Sequence, residues 1–411
     1  MRKLLLFAMC PVMVFASCGD DASETASSSQ AVSTASATNT ASSSTTGAGG
    51  SGGAESCHGT LGAADAERFV VIGHPYDPNG GSANTYEVLR LATDGMLSRI
   101  NKSVPLGRPA DRPIAFTPDG ELGFSVQDDG SIGVFGLQDD GTIDGLESGF
   151  RGSFYADRLV VSADGSTLWV VDPNFPENGG GIYELAIACD GTLTDNGLRF
   201  PAKNAAGLAF DPVSGDFLVA ARAALDSTGV AHAHRVNTSL VASVDVFGDD
   251  EALLSWMTLT AGGKHLLIGD NSSFSSVPNR VGAVPITASG LGTPQVLSDI
   301  EDPYAIAASP FDDAAIVVSG FGDAIFVLGY DPDAPSPLTF EGELTYVAGS
   351  PQVPGALAMV ERGALAGRVL VADVRGLFVV QFAQGATVTD IGVFDLGGGT
   401  ENIVSGVGIT P

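Results

Sequence analysis

Residues 113–145 read PIAFTPDGELGFSVQDDGSIGVFGLQDDGTIDG, and the rest of the chain repeats this unit with drift. Short runs rich in β-branched and aromatic residues alternate with Pro118-Asp119-Gly120, Asp128-Asp129-Gly130 and Asp139-Asp140-Gly141. Asp-Gly pairs suit tight turns because glycine takes a positive φ without a clash, so the unit reads as a small antiparallel meander. A meander alone leaves a face uncovered, and it needs neighbours of its own kind.

Those neighbours follow. The opening of the unit recurs at 159–165, 208–215 and 259–263, and more weakly at 306–310 and 356–367. The spacing of roughly 45–55 residues fits four-stranded propeller blades better than helical repeats. After each opening comes a second apolar run, such as Leu168-Trp169-Val170-Val171-Asp172 or Leu266-Leu267-Ile268-Gly269-Asp270, of the kind that is buried on both faces. Residues 68–73 resemble the second strand of a unit whose first strand is missing. Residues 402–411 resemble a first strand with no second, so the C-terminal strand is expected to complete blade one. The predicted fold is therefore all-β: a seven-bladed β-propeller of four-stranded antiparallel blades, closed by the C-terminal strand.

The alternation of S/T-P-D-G, apolar strand, turn, apolar strand and D-G-T-L/I, clearest at 135–143 and 183–193, resembles the lactonase-type β-propellers. The best known members of that group are the 6-phosphogluconolactonases, and the wider YVTN-type propellers are similar. The resemblance runs from about Arg68 to the terminus and implies hydrolysis of a sugar-derived lactone as one activity to weigh. Propellers of that type carry a His-rich stretch before an early S-P-D-G; here that stretch is Phe154-Tyr155-Ala156-Asp157-Arg158, without histidine. Asp157, Arg158 and Arg112 keep its acidic and basic character.

Arg2-Lys3 and a short apolar run to Phe15 form an export signal rather than a membrane-spanning helix. Phe15-Ala16-Ser17-Cys18 resembles a bacterial lipobox, which implies a signal over residues 1–17, lipid on Cys18 and, with Gly19 next, sorting to the outer membrane. Residues 18–56 hold the anchor cysteine and a Ser/Thr/Gly/Ala tether that cannot bury enough surface to order itself. Residues 57–411 are the propeller domain. A net charge of −29 excludes a broad nucleic-acid or anionic-lipid footprint. The membrane is therefore reached through the anchor only, and the expected state is a monomer. No cofactor motif stands in a usable context.

Cys57 and Cys189 are a possible disulfide in an exported protein. Their settings, Cys-His-Gly-Thr-Leu and Cys-Asp-Gly-Thr-Leu, suggest outer strands of different blades. The long loops at 74–84, 173–181, 222–238 and 271–282 are where function is expected on a regular scaffold. Basic residues favour such segments, and Arg112, Arg158, Arg235 and Arg280 are the candidate ligands for a small anion. His74, Asp77, Asp157 and Arg158 are the candidate catalytic residues, and His232 and His234 the candidate metal ligands, with a surface loop as the plainer placement for the His232–His234 motif. Asp128, Asp172, Asp270 and Asp373 end second strands in blade register, which suggests capping. Three functions stay open: an exported, lipid-anchored module binding a small anion or protein partner at one face, a lactone hydrolase, or a structural module of the cell surface.

Overall fold

The computed structural model describes residues 57–75, 84–173, 180–222, 230–271, 279–320, 322–347, 349–397 and 402–411. The leader, Cys18, the tether and Asp77 lie outside them. The described strands form seven antiparallel sheets arranged as the blades of a propeller.

Blade one joins β1 (Arg68–His74), β2 (Thr85–Leu91) and β3 (Leu97–Pro105) to the last strand of the chain, β29 (Gly406–Ile409). Blade two is β4 (Ala115–Phe116), β5 (Leu122–Val126), β6 (Ile132–Leu137) and β7 (Ile143–Phe150). Blade three follows with β8 (Arg158–Val161), β9 (Thr167–Asp172), β10 (Gly181–Ile187) and β11 (Leu193–Pro201). Blade four has β12 (Lys203–Phe210), β13 (Phe217–Arg222), β14 (Ala231–Val236) and β15 (Leu240–Asp245). Blade five has β16 (Leu254–Leu259), β17 (His265–Asp270) and β18 (Arg280–Thr287), and its outer edge is split into β19 (Gly290–Leu291) and β20 (Gln295–Ser298). Blade six is β21 (Pro303–Ala308), β22 (Ala314–Ser319), β23 (Ala324–Tyr330) and β24 (Leu338–Glu343). Blade seven is β25 (Leu357–Met359), β26 (Arg368–Asp373), β27 (Gly376–Ala383) and β28 (Thr387–Asp395).

The ring closes as the sequence predicts. β29 pairs with β1 from Val70–Ile409 to Gly73–Gly406, and Ile114 N–H donates to Val407 O at 2.9 Å, tying blade two to blade one. Gly408 is needed there, because a Cβ would stand 2.5 Å from Ile114 O. The Asp-Gly turns of blade two also behave as expected, with Gly120, Gly130 and Gly141 at φ of 78°, 75° and 79°.

Second strands are buried along their whole length, as in β17 and β22, whereas outer strands such as β3 and β15 alternate with solvent. The core lies between blades: Leu122, Phe124 and Val134 of blade two pack against Leu168, Val170 and Leu185 of blade three. Each fully buried side chain of this size contributes about 1.5–3 kcal/mol.

Inner strands begin at one end of the ring, the mouth, and turn at the far end. Residues 57–67 form a strap across the far-end turns. Cys57 bonds to Cys189, with Cα atoms 5.5 Å apart, and His58 Nδ1 lies 2.7 Å from Asp119 Oδ2. Further along, Asp65 Oδ1 accepts Ala364 N–H at 2.8 Å, and Arg68 Nη1 donates to Thr410 O at 2.9 Å. The strap thus touches blades three, two, one and seven, on both sides of the closure. Cys57 is therefore not on an outer strand, contrary to the likeness of its motif, and Cys189 sits in the turn between β10 and β11.

Candidate functional site

In five of the seven blades the repeat fixes which residue enters the inner strand at the mouth. Their far-end turns are closed by a hydroxyl: Leu122 N–H donates to Thr117 Oγ1 at 3.1 Å, Thr167 N–H to Ser162 Oγ at 3.0 Å and His265 N–H to Thr260 Oγ1 at 3.2 Å. Counting five residues back from Thr117, Ser162, Thr260, Ser309 and Thr410 gives Arg112, Asp157, Ser255, Tyr304 and Ser405 at the mouth. Aligning the repeats on their turn hydroxyls would have found Ser255 and Tyr304 in the sequence; strand periodicity does not, because it carries no information about which end of a strand meets the axis.

Arg112 donates to Asp157 Oδ1 from Nε at 2.9 Å and from Nη2 at 2.8 Å, and from Nη1 to Tyr304 Oη at 2.7 Å. Tyr304 Oη donates on to Asp111 O at 3.3 Å, and Asp111 Oδ1 accepts Ala356 N–H at 2.7 Å. Arg158 Nε lies 3.3 Å from Asp157 Oδ2, while its Nη2 donates to Ser255 O. The Arg158 guanidinium stacks 4.1 Å from the ring centre of Trp256, a cation–π contact. Arg112 therefore links blades two, three and six, and Arg158 links three and five.

The side chains of Arg112, Asp157 and Arg158 are 24%, 19% and 11% exposed, enough for a ligand to reach while protein surrounds them. Burial works against ionising Asp157, yet the two guanidiniums overcome it and hold its carboxyl below the ordinary value. Burial likewise pushes Arg158 down, to about 10, with Asp157 opposing and Arg112 adding to the shift. Arg112 goes the other way: burial works against its charge, but the attraction of the Asp157 carboxylate, helped by Tyr304 and the hydrogen bonds to Asp157, outweighs it. Burial raises the Tyr304 phenol and the Asp111 carboxyl. At neutral pH the centre is two cations sharing one accessible carboxylate.

Beside it lies a cavity of about 330 Å³ whose wall includes Arg108, Asp111, Arg112, Gln127, Tyr155 and Asp157. Tyr155 Oη donates to Asp128 O at 2.8 Å, and Tyr155 N–H to the buried Asp172 at 3.1 Å. Asp172 thereby fixes the link that carries Asp157. The same device recurs where Asp270 accepts Leu253 N–H at 2.7 Å and Asp373 accepts Gln352 N–H at 2.6 Å, so these second-strand aspartates do cap the entries to inner strands.

The other candidates are placed elsewhere. Arg235 lies near the far end of β14, buried and paired with Asp211 at 2.8 Å and Asp216 at 2.7 Å, so Arg112, Arg158 and Arg235 do not share one concavity. Arg280 starts β18, enclosed by Asp249, Asp270 and the Phe247 ring. His74 ends β1 with Nδ1 3.2 Å from Ile403 O and Nε2 3.2 Å from Glu87 Oε2, and it lines a different cavity with Glu87 and Arg99. His232 and His234 lie on β14 rather than in a loop. Alternation does bring their rings together, stacked 5.6 Å apart, but the described residues place no third ligating group with them.

Compared by sequence, the chain matches no protein-family model and no curated protein. Solved structures match it closely in fold. A protein from Bacteroides fragilis, described as a candidate 6-phosphogluconolactonase, superposes with a TM-score of 0.63 at 13% identity, over 86% of this chain and 100% of that one. The fold is that of the lactonase-type propellers. The periplasmic gluconolactonase of Pseudomonas aeruginosa gives a TM-score of 0.61 at 14% identity, covering 84% of this chain and 99% of its own. A second Bacteroides protein, from Bacteroides uniformis, gives 0.59 at 13% identity, over 84% of this chain and 99% of that one. Such likeness concerns fold; side chains at the mouth have to be judged on their own chemistry.

Proposed function

We propose that this chain binds a small ligand bearing a carboxylate or phosphate at the mouth of its ring, over Arg112, Asp157 and Arg158. The carrying observation is the convergence of two guanidiniums from adjacent blades on a single carboxylate beside a cavity of about 330 Å³. That volume suits a metabolite-sized ligand. Arg158 Nη1 makes no hydrogen bond among the described residues and is the donor we assign to an incoming anion, although Arg158 stands behind Asp157 rather than in the cavity wall. Asp157 offers an acceptor for ligand hydroxyls, whereas both amide protons of Gln127 are spent on Leu106 O and Ser148 O.

Lactone hydrolysis is the second reading, favoured by the lactonase descriptions of the structural neighbours together with the charged groups at the axis. It asks for a base, and an Asp157 held ionised between two arginines is a weak one. A structural role is the third, because most donors of Arg112 are already spent inside the ring.

Calorimetric titration with aldonates, aldonolactones and phosphosugars, each also followed for turnover, separates the three. Heat without turnover supports the binding module and turnover of a lactone the hydrolase; silence across the panel overturns the ligand reading in favour of the structural one. Export and anchoring through Cys18 belong to the same proposal. Cys18→Ser should release the protein from the membrane fraction and abolish lipid labelling, and retention of both would contradict it.

A further inference from the structure

The geometry points to a divalent-metal site at the far end of the ring, formed by His58, Asp119 and Glu121. It is independent of the mouth and of any ligand bound there. The three side chains offer ligating atoms that all lie within 4.8 Å of one another.

The placement of the three side chains carries the inference. His58 Nε2 lies 3.1 Å from Cys189 O, and a carbonyl only accepts, so this nitrogen carries a proton and Nδ1 is the ring atom turned to the carboxylates, where either a proton or a metal ion can sit. Nδ1 faces Asp119 Oδ2 at 2.7 Å and Glu121 Oε2 at 3.7 Å. Asp119 Oδ1 is already engaged by Thr117 Oγ1 at 2.7 Å and Glu121 N–H at 3.0 Å, which turns Oδ2 toward the imidazole. Two carboxylates turned to one ring nitrogen need a positive charge among them, and a divalent ion supplies it for all three groups at once.

A ring nitrogen whose other N–H is fixed by a backbone carbonyl is the arrangement that orients a metal-bound histidine. One imidazole and two carboxylates suit Zn²⁺, Mn²⁺ or Co²⁺, with ligand distances of about 2.0–2.2 Å and water in the remaining positions. Glu121 is 68% exposed, which gives the ion an entry path and lets that carboxylate adjust. A bound ion would tie the strap to blade two beside the Cys57–Cys189 bond, so occupancy should also stabilise the fold.

The test uses the full chain stripped with a chelator, titrated with Zn²⁺ by calorimetry and with Co²⁺ by visible absorption. One equivalent should bind, raise the melting temperature and give a Co²⁺ ligand-field band. Glu121→Gln, an exposed position where folding is not at risk, should weaken Zn²⁺ by about tenfold or more, and Asp119→Asn with Glu121→Gln should abolish saturable binding and the thermal shift. The double variant His232→Ala, His234→Ala should bind as the wild type does. Absence of saturable binding by the wild type would overturn the proposal, leaving a proton as the bridging charge. Binding that survives Asp119→Asn with Glu121→Gln, or that is lost with His232 and His234, would overturn it equally.

Discussion

Asp157 is the residue on which the mouth depends. Replacing it with Asn removes the charge that Arg112 and Arg158 share and leaves two partly exposed cations facing each other. A loss of about 1–3 kcal/mol is expected, below the cost of breaking a fully buried pair. The pH dependence has a definite sign. The folded pKa is depressed, so the stabilisation is complete above the unfolded value near about 4 and is lost as pH falls through the lower folded value. The melting gap between wild type and Asp157→Asn should therefore hold from neutral pH to about 5 and shrink below about 4. A gap that persists unchanged at the acid end would contradict the ion-pair origin. Arg112, Asp157 and Arg158 were legible as a charged group ahead of two repeat openings. Tyr304 emerges only when the repeats are aligned on their turn hydroxyls, and Trp256 not even then, since an aromatic residue at a strand entry looks the same whether it meets the axis or the core.

Among the elements, the strap was the least legible. Its Cys-His-Gly-Thr-Leu copies the turn that precedes an outer strand, yet no blade remains for it to join, so local likeness pointed to the wrong tertiary setting. β14 was hidden differently, because His232 and Arg235 make a buried strand look like a polar loop until the facing aspartates are known. Outer strands also carry an unread signal. Asp195 and Asp390 each stand two residues before a positive-φ glycine, Gly197 or Gly392, and each accepts an N–H from the link into its own blade, Ser153 at 3.0 Å and Val347 at 2.6 Å. The disulfide closes a separation of 132 residues, so Cys57→Ser should cost about 2–4 kcal/mol and lower the melting temperature by roughly 5–10 °C. Scanning calorimetry with and without reductant checks it; an unaltered transition in the variant would mean the strap does not hold the ring.

At the scale of the whole molecule, repetition made the fold readable: one well-marked unit set the blade, and an unmatched strand at each end of the chain set the closure. Deleting residues 406–411 removes β29 and with it the fully buried Val407, exposing the edge of β1 and the flank of blade seven. Aggregation or loss of a cooperative melt is expected, and an unchanged transition would exclude the C-terminal strand as the closure.

The most direct measurement of the mouth is the affinity of one carboxylate or phosphate ligand across three proteins: wild type, Arg112→Ala with Arg158→Ala, and Arg199→Ala. Arg199 is a fair control, 48% exposed on β11 and paired with Glu184 at 2.6 Å. Charge-assisted contacts carry about 1.5–3 kcal/mol each, so the double variant should lose roughly two orders of magnitude or more in Kd while Arg199→Ala stays at the wild-type value. Equal affinity in all three, or an equal loss in the two variants, would contradict an anion site at the axis.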